Sequence, residues 1–127
     1  MELTIDAVTL AVGDLAASRA FYADGLGCAV EQDRGQYVAF RLAGGPALTL
    51  YPRRALAHDA GVDPAGSGFG GLTLNLYAED AAAVDDVLKR AERAGGTIAR
   101  PAEAAQWGGY FGYFADPDGH LWKVVAP

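Results

Sequence analysis

Two aspartates about half a chain apart, Asp14 and Asp80, each close a run with strand character and open a run with helical spacing. Upstream of the first lies Ile5 to Val12, apolar and β-branched, and upstream of the second lies Leu72 to Tyr77. Asp is a preferred residue at a helix start because its carboxylate accepts from the unpaired backbone N–H groups of the first turn. After Asp14 the apolar and small residues Ser18, Phe21, Tyr22 and Leu26 share one helical face, and Gly25-Leu26-Gly27 mark the end. After Asp80, Val84, Val87, Leu88 and Ala91 follow the same periodicity, and Gly95-Gly96 supply the stop. Asp85 and Asp86 early in this second helix, and Lys89, Arg90 and Arg93 late, complement its dipole.

Three further strand candidates follow each helix. They are Ala29–Gln32, Tyr37–Leu42 and Ala47–Tyr51 in the first half, with turns at Asp33-Arg34-Gly35-Gln36 and Gly44-Gly45-Pro46. In the second half they are Thr97–Arg100, Tyr110–Phe114 and Leu121–Val125. Each half therefore reads βαβββ, which predicts an α+β fold of two tandem modules. The 127 residues suit one domain: a first module over about 1–52, a connection over about 53–70 and a second module over about 71–127. A connection of that length is uncommon in a compact domain, and a short helical turn is expected within it over Arg54 to Ala60. The paired glycines at 44–45, 70–71, 95–96 and 108–109 read as turns or strand edges, without the pattern of a phosphate-binding loop.

The net charge of −6 opposes binding to nucleic acid or anionic membranes and favours a cationic ligand, although it also serves solubility. No apolar run has the length of a membrane span, and the N-terminus shows no secretory pattern. The lone Cys28 forms no internal disulfide and reads as a buried structural thiol, so a reducing cytoplasm is expected. A composition rich in Ala and Gly and poor in Lys points to a GC-rich bacterial genome.

Near the end, Asp116-Pro117-Asp118-Gly119 has the chemistry of a tight turn, and the aromatic and β-branched runs on both sides make the segment a β-hairpin. In this setting the chain resembles the vicinal oxygen chelate superfamily, the fold of glyoxalase I, extradiol dioxygenases and bleomycin resistance proteins. The resemblance rests on Val8-Thr9-Leu10-x-Val12-x-Asp14-Leu15-x-x-Ser18-x-x-Phe21-Tyr22, on Leu26-Gly27, on Asp80 through Gly95-Gly96, and most strongly on the run from Trp107 to Trp122. It implies two βαβββ modules whose strands make a curled mixed sheet around a shared cleft. It also implies a homodimer and, in the metal-dependent members, four His or carboxylate ligands for a divalent ion.

The positions that would carry those four ligands are here Ala7, Thr73, Thr49 and Lys123. None suits a dication, and an ammonium at the site would repel one. His120 reads as a solvent-facing turn residue and His58 as an exposed residue of the connection, so neither restores the set. The expectation is no metal and no cofactor, with glyoxalase I and extradiol dioxygenase chemistry excluded with them.

Alternation along strands places Thr9 and Ala11 on the face of Ala7, Tyr51 on that of Thr49, Asn75 and Tyr77 on that of Thr73, and Leu121 and Val125 on that of Lys123. This lining suits either a small organic ligand or a filled core. The candidate ligand-binding residues are Trp107, Tyr110, Phe111, Tyr51, Thr49, Thr73, Asn75, Lys123, Phe40 and Arg41; alternation alone does not say whether Phe40 or Arg41 faces inward. The group Trp107, Tyr110, Phe111 and Tyr113, broken by Gly108, Gly109 and Gly112, offers planar rings for stacking or for the core. Lys123 reads either as an amine that holds an anion or forms an imine, or as one paired with a carboxylate or extended to solvent. Two ligand-directed functions stand beside a third class, a paralogue whose cleft is filled and whose surface mediates assembly. The first is a metal-independent protein that sequesters a small aromatic or cationic ligand, as antibiotic-resistance proteins of this fold do. The second is a metal-independent isomerase, lyase or cyclase using Lys123 or Tyr51 for acid–base work.

Overall fold

The computed structural model describes every residue except 1, 3, 4, 61, 67 and 71, so one glycine of the turn expected at 70–71 lies outside the described residues. The chain divides into two compact units, Met1–Gly66 and Ser67–Pro127.

In the first unit β1 (Ala7–Val12), β2 (Ala29–Asp33), β3 (Val38–Arg41) and β4 (Ala47–Pro52) form a mixed sheet in the order β1-β4-β3-β2. β1 runs parallel to β4, and the remaining pairs are antiparallel. The second unit repeats this arrangement. β5 (Thr73–Tyr77), β6 (Thr97–Ala104), β7 (Tyr110–Ala115) and β8 (Leu121–Ala126) pair in the order β5-β8-β7-β6, again with one parallel pair at the edge. The fold is thus α+β, with tandem βαβββ modules. β1 is shorter than the sequence implies, because Ile5 and Asp6 precede the ladder. β6 is longer, running on through Pro101 with two register shifts. Pro is tolerated there because β6 is an edge strand, where a missing N–H breaks no ladder on the outer side.

The helices start where the aspartates place them. Asp14 accepts from the Ala17 N–H at 3.0 Å to open α1 (Leu15–Ala20), and Asp80 accepts from the Ala83 N–H at 2.8 Å to open α3 (Ala81–Arg93). After Ala20 the first helix widens into a π-helical turn, Phe21–Gly25, in which the Leu26 N–H reaches back to the Phe21 carbonyl. Phe21 and Tyr22 both enter the core there, with rings edge-on at 5.0 Å. Gly27, at φ 78°, makes the left-handed exit that a residue with a Cβ resists. Cys28 follows it, half-buried and just ahead of β2 rather than fully buried in a strand, its N–H donating to the Tyr22 carbonyl.

The core of the first unit lies between its sheet and these helical turns. Leu10, Val12, Val38, Phe40, Leu48 and Leu50 alternate onto that face and are all buried, and the Phe40 ring lies 5.9 Å from that of Tyr22. Each such side chain stabilises the fold by about 1.5–3 kcal/mol, which fixes the strand faces against a one-residue slip. In the second unit α3 buries Val84, Leu88 and Ala91 against β6, β7 and β8. The helical turn foreseen in the connection is a full helix, α2 (Arg53–Ala60), packed on β4 and β1. The Arg53 Nε donates to the Pro64 carbonyl at 2.7 Å, tying down the segment that follows.

Candidate functional site

Pairing across each sheet shows which side chains share the face opposite the buried core. In the first unit the register aligns Gln32, Ala39, Thr49 and Thr9 in one row across β2, β3, β4 and β1. A bulge between Val30 and Gln32 sets this row, so alternation counted from the start of β2 fails. Tyr37 and Tyr51 occupy the next row, with rings edge-on at 6.3 Å. Beside them α2 presents Leu56 and Asp59, three positions apart and therefore on one helical face. The Asp33–Gln36 turn brings in Arg34: its N–H bonds the Tyr37 carbonyl at 2.8 Å, and Gly35 adopts φ 85°.

Thr9, Gln32, Arg34, Tyr37, Tyr51, Leu56 and Asp59 together line a cavity of about 520 Å³. That volume lies in the range of small-molecule pockets. Its walls combine two phenol rings with one guanidinium and one carboxylate. Thr49, expected at the site, is 1% exposed, and its hydroxyl is engaged by Thr9 at 2.5 Å and by the Val8 carbonyl at 3.4 Å. The choice between Phe40 and Arg41 is resolved by register. Phe40 pairs with Leu48 and is fully buried beneath Tyr22, so it is a core residue and its candidacy as a ligand contact is corrected. Arg41 has the parity of Ala39 and is exposed.

In the second unit the equivalent row is Asn75, Lys123, Tyr113 and Arg100, on β5, β8, β7 and β6. Phe111 and Val125 are neighbours one step along, with Glu103 opposite Phe111. The Arg100 guanidinium carbon stands 4.7 Å from the Phe111 ring centroid and the Lys123 ammonium 4.9 Å from it. Arg100 also pairs with Glu103, both about half exposed. Trp107 lies nearly parallel to Phe111, with centroids 6.4 Å apart, and is 62% exposed.

Tyr110 departs from expectation. It faces the other side of β7, opposite Ala126, and its hydroxyl donates to Asp85 Oδ1 on α3 at 2.8 Å. This hydrogen bond, with smaller contributions from desolvation and the Asp85 charge, pushes the Tyr110 phenol above its ordinary pKa. Tyr110 therefore ties β7 to α3, and its candidacy as a ligand contact is corrected. Thr73 is exposed and donates to Asn75 Oδ1 at 3.4 Å. Alternation missed Arg100, Glu103, Gln32, Arg34, Tyr37, Leu56 and Asp59. Of these only Tyr37, two positions before Ala39 on the row of Thr49, was within its reach.

At the positions where the resemblance would put metal ligands stand Ala7, Thr49, Thr73 and Lys123, a set with no imidazole and no carboxylate. Among the described residues no three His, Cys, Asp or Glu side chains gather as a metal requires. His58 is exposed on α2; His120 is half-buried in the hairpin turn, its N–H donating to the Asp116 carboxylate at 2.8 Å.

The model of the Glyoxalase/Bleomycin resistance protein/Dioxygenase superfamily matches residues 4–124. The chain belongs to this superfamily. A glyoxalase-related enzyme from Fulvimarina pelagi shares 33% identity over 98% of this chain and 88% of its own, with a TM-score of 0.89. A lactoylglutathione lyase from Agrobacterium tumefaciens shares 28% over 99% of this chain and 95% of its own, with a TM-score of 0.74. A family enzyme from Burkholderia phytofirmans, at 17% identity over 98% of both chains, has a TM-score of 0.85 and speaks to the fold alone. No curated protein matched. Membership of the superfamily fixes the architecture but leaves the chemistry to the side chains, since one fold hosts many activities.

Proposed function

We propose that this chain is a metal-independent small-molecule-binding protein that sequesters an aromatic or cationic ligand. The observation that carries the reading is the open cavity lined by Arg34, Tyr37, Tyr51, Leu56 and Asp59, of a size to hold such a molecule. Tyrosine rings stack on planar ligands and attract cations through their π faces, and Asp59 adds a carboxylate that the Arg34 guanidinium balances, so the rings carry the recognition. The donor chemistry at Ala7, Thr49, Thr73 and Lys123 supports the metal-independent part, since a dication finds neither imidazole nor carboxylate there.

The reading includes a homodimer in a reducing cytoplasm. Exposed Phe69, Leu72, Leu76 and Tyr77 on and before the edge strand β5 support a second copy as a partner, because an apolar sheet edge left in water invites pairing. Among the described residues no helix is long and apolar enough to cross a membrane. The enzymatic alternative, a metal-independent isomerase, lyase or cyclase using Lys123 or Tyr51, has less support. A neighbour that holds or relays a proton would support that role, and the neighbours that Lys123 and Tyr51 meet are the rings of Phe111 and Tyr37.

The test is thermal denaturation against flat aromatic antibiotics, bleomycin-type cations and divalent metals, with and without chelator. Stabilisation by an organic compound that persists in chelator, and that weakens several-fold in Tyr51→Ala, supports the reading. Stabilisation by a divalent metal alone at low concentration overturns it.

A further inference from the structure

The second unit carries a charge arrangement that the cavity of the first does not use. Across its open face the register lines up Asn75, Lys123, Tyr113 and Arg100. In a chain of net charge −6, the charged groups that the register places on this face among the described residues are two cations and one carboxylate, Glu103. Among the described residues no carboxylate pairs with the Lys123 ammonium; its recorded contact is the Phe111 π face at 4.9 Å. Asn75 accepts from Thr73 through Oδ1 at 3.4 Å and carries an amide nitrogen as a donor. The row thus offers a ligand donors from Lys123, Arg100, the Asn75 amide nitrogen and the Tyr113 hydroxyl.

The rings beside this row are built into place. Trp107 follows the end of β6 in a loop closed by the Ala105 N–H to the Gly109 carbonyl at 2.7 Å and by the Gly108 N–H to the Ala105 carbonyl at 3.0 Å. Gly108 adopts φ 102°, and Gly109 leaves the space that the Trp107 ring occupies. The backbone thereby lays an exposed indole nearly parallel to Phe111, and the Tyr113 ring meets Phe111 edge-on at 6.2 Å. A tryptophan 62% exposed stabilises a fold little through burial, and cation–π contacts at exposed sites add only modestly. The arrangement suits a ligand better than it suits a core: a flat apolar surface with positive charge along its side.

We infer that the open face of the second sheet recognises a planar aromatic carboxylate, its ring stacked on the exposed Trp107 indole beside Phe111 and its anionic group held by Lys123 and Arg100. The family's position for a metal-binding carboxylate then serves the opposite electrostatic role, an ammonium that meets the ligand's negative charge directly. Arg100 already gives its Nε and one terminal nitrogen to Glu103, so it offers a ligand its other terminal nitrogen, whereas Lys123 offers a point charge. Glu103 offsets the charge of Arg100, so this face keeps one net positive charge, that of Lys123, for a ligand's anion to meet.

The experiment is calorimetric titration of the whole chain with naphthoate, the neutral isostere naphthamide and the cation naphthylmethylammonium. Naphthoate is expected to bind about tenfold or more tightly than the amide, the scale of one charge-assisted hydrogen bond. Lys123→Met is expected to remove most of that preference, Lys123→Arg to retain it, and Trp107→Ala to weaken the acid and the amide alike by several-fold. Should Lys123→Met fail to fold by circular dichroism, Arg100→Met carries the same test, because Arg100 is half exposed. Equal affinity for acid and amide, no naphthoate binding, or a preference untouched by both cation variants would each overturn the inference. The experiment reads Lys123 and Arg100 alone, so its failure leaves the Tyr37 and Tyr51 cavity where it stood.

Discussion

Gly109→Ala tests how the chain holds Trp107. A Cβ at this position would lie 1.9 Å and 2.0 Å from the Trp107 ring carbons Cζ3 and Cη2, and 2.7 Å from the Ala126 carbonyl oxygen. Neither contact is tolerable, but they yield differently. The indole is exposed and free to swing out, which forfeits its stacking on Phe111, worth about 0.5–1.5 kcal/mol. The Ala126 carbonyl belongs to β8, so relieving the second contact displaces a strand, at the cost of overpacking, about 1–3 kcal/mol. The two together give a destabilisation of about 1.5–4.5 kcal/mol, measured by urea denaturation, with tryptophan emission shifted red as the indole leaves its partner. In a Trp107→Ala background the ring contact is already gone, so Gly109→Ala should cost only the β8 part. The cycle should return a coupling of about 0.5–1.5 kcal/mol. A Gly109→Ala protein within about 0.5 kcal/mol of the parent, or a cost that is the same with and without Trp107, would show that the glycine does not position the indole.

Three further outcomes are expected. Tyr110 is pushed above its ordinary value of 10.0 mainly by its hydrogen bond to Asp85, so its stabilisation is complete below that pH and is lost as pH rises through the higher native value. Thermal melts should therefore show the parent losing stability more steeply than Tyr110→Phe on the alkaline side, and parallel profiles would refute the assignment. Asp80→Ala removes the acceptor for the Ala83 N–H and should cost about 1 kcal/mol, read from the urea midpoint at unchanged slope. Phe40→Ala should cost about 3–5 kcal/mol, whereas Arg41→Ala should stay within about 0.5 kcal/mol. Similar costs for the two would contradict the facing that the register assigns.

The sequence by itself determined the repeat, the succession of elements and the helix starts, because these depend on groups close together in the chain. The carboxylates of Asp14 and Asp80 cap N–H groups three residues on. Asp116 likewise accepts from the N–H groups of Asp118 and His120 in the hairpin turn, with Gly119 at φ 87°. The superfamily was legible for the same reason, since its motifs are local and ordered. The composition of the candidate site was legible only in part. Lys123, Asn75 and Tyr51 were placed by alternation along their strands, but alternation left Phe40 against Arg41 open and gave Tyr110 and Phe111 no face, because pairing register decides a side chain's face and pairing is long-range. Arg100 and Glu103 share the Phe111 neighbourhood only because a register shift in β6 changes the count between them. The cavity wall from Leu56 and Asp59 depends on where α2 packs after β4. Tertiary structure decided these points because a bulge, a packed helix or a cation over a ring is set by the free energy of contacts between distant residues, which spacing along the chain does not encode.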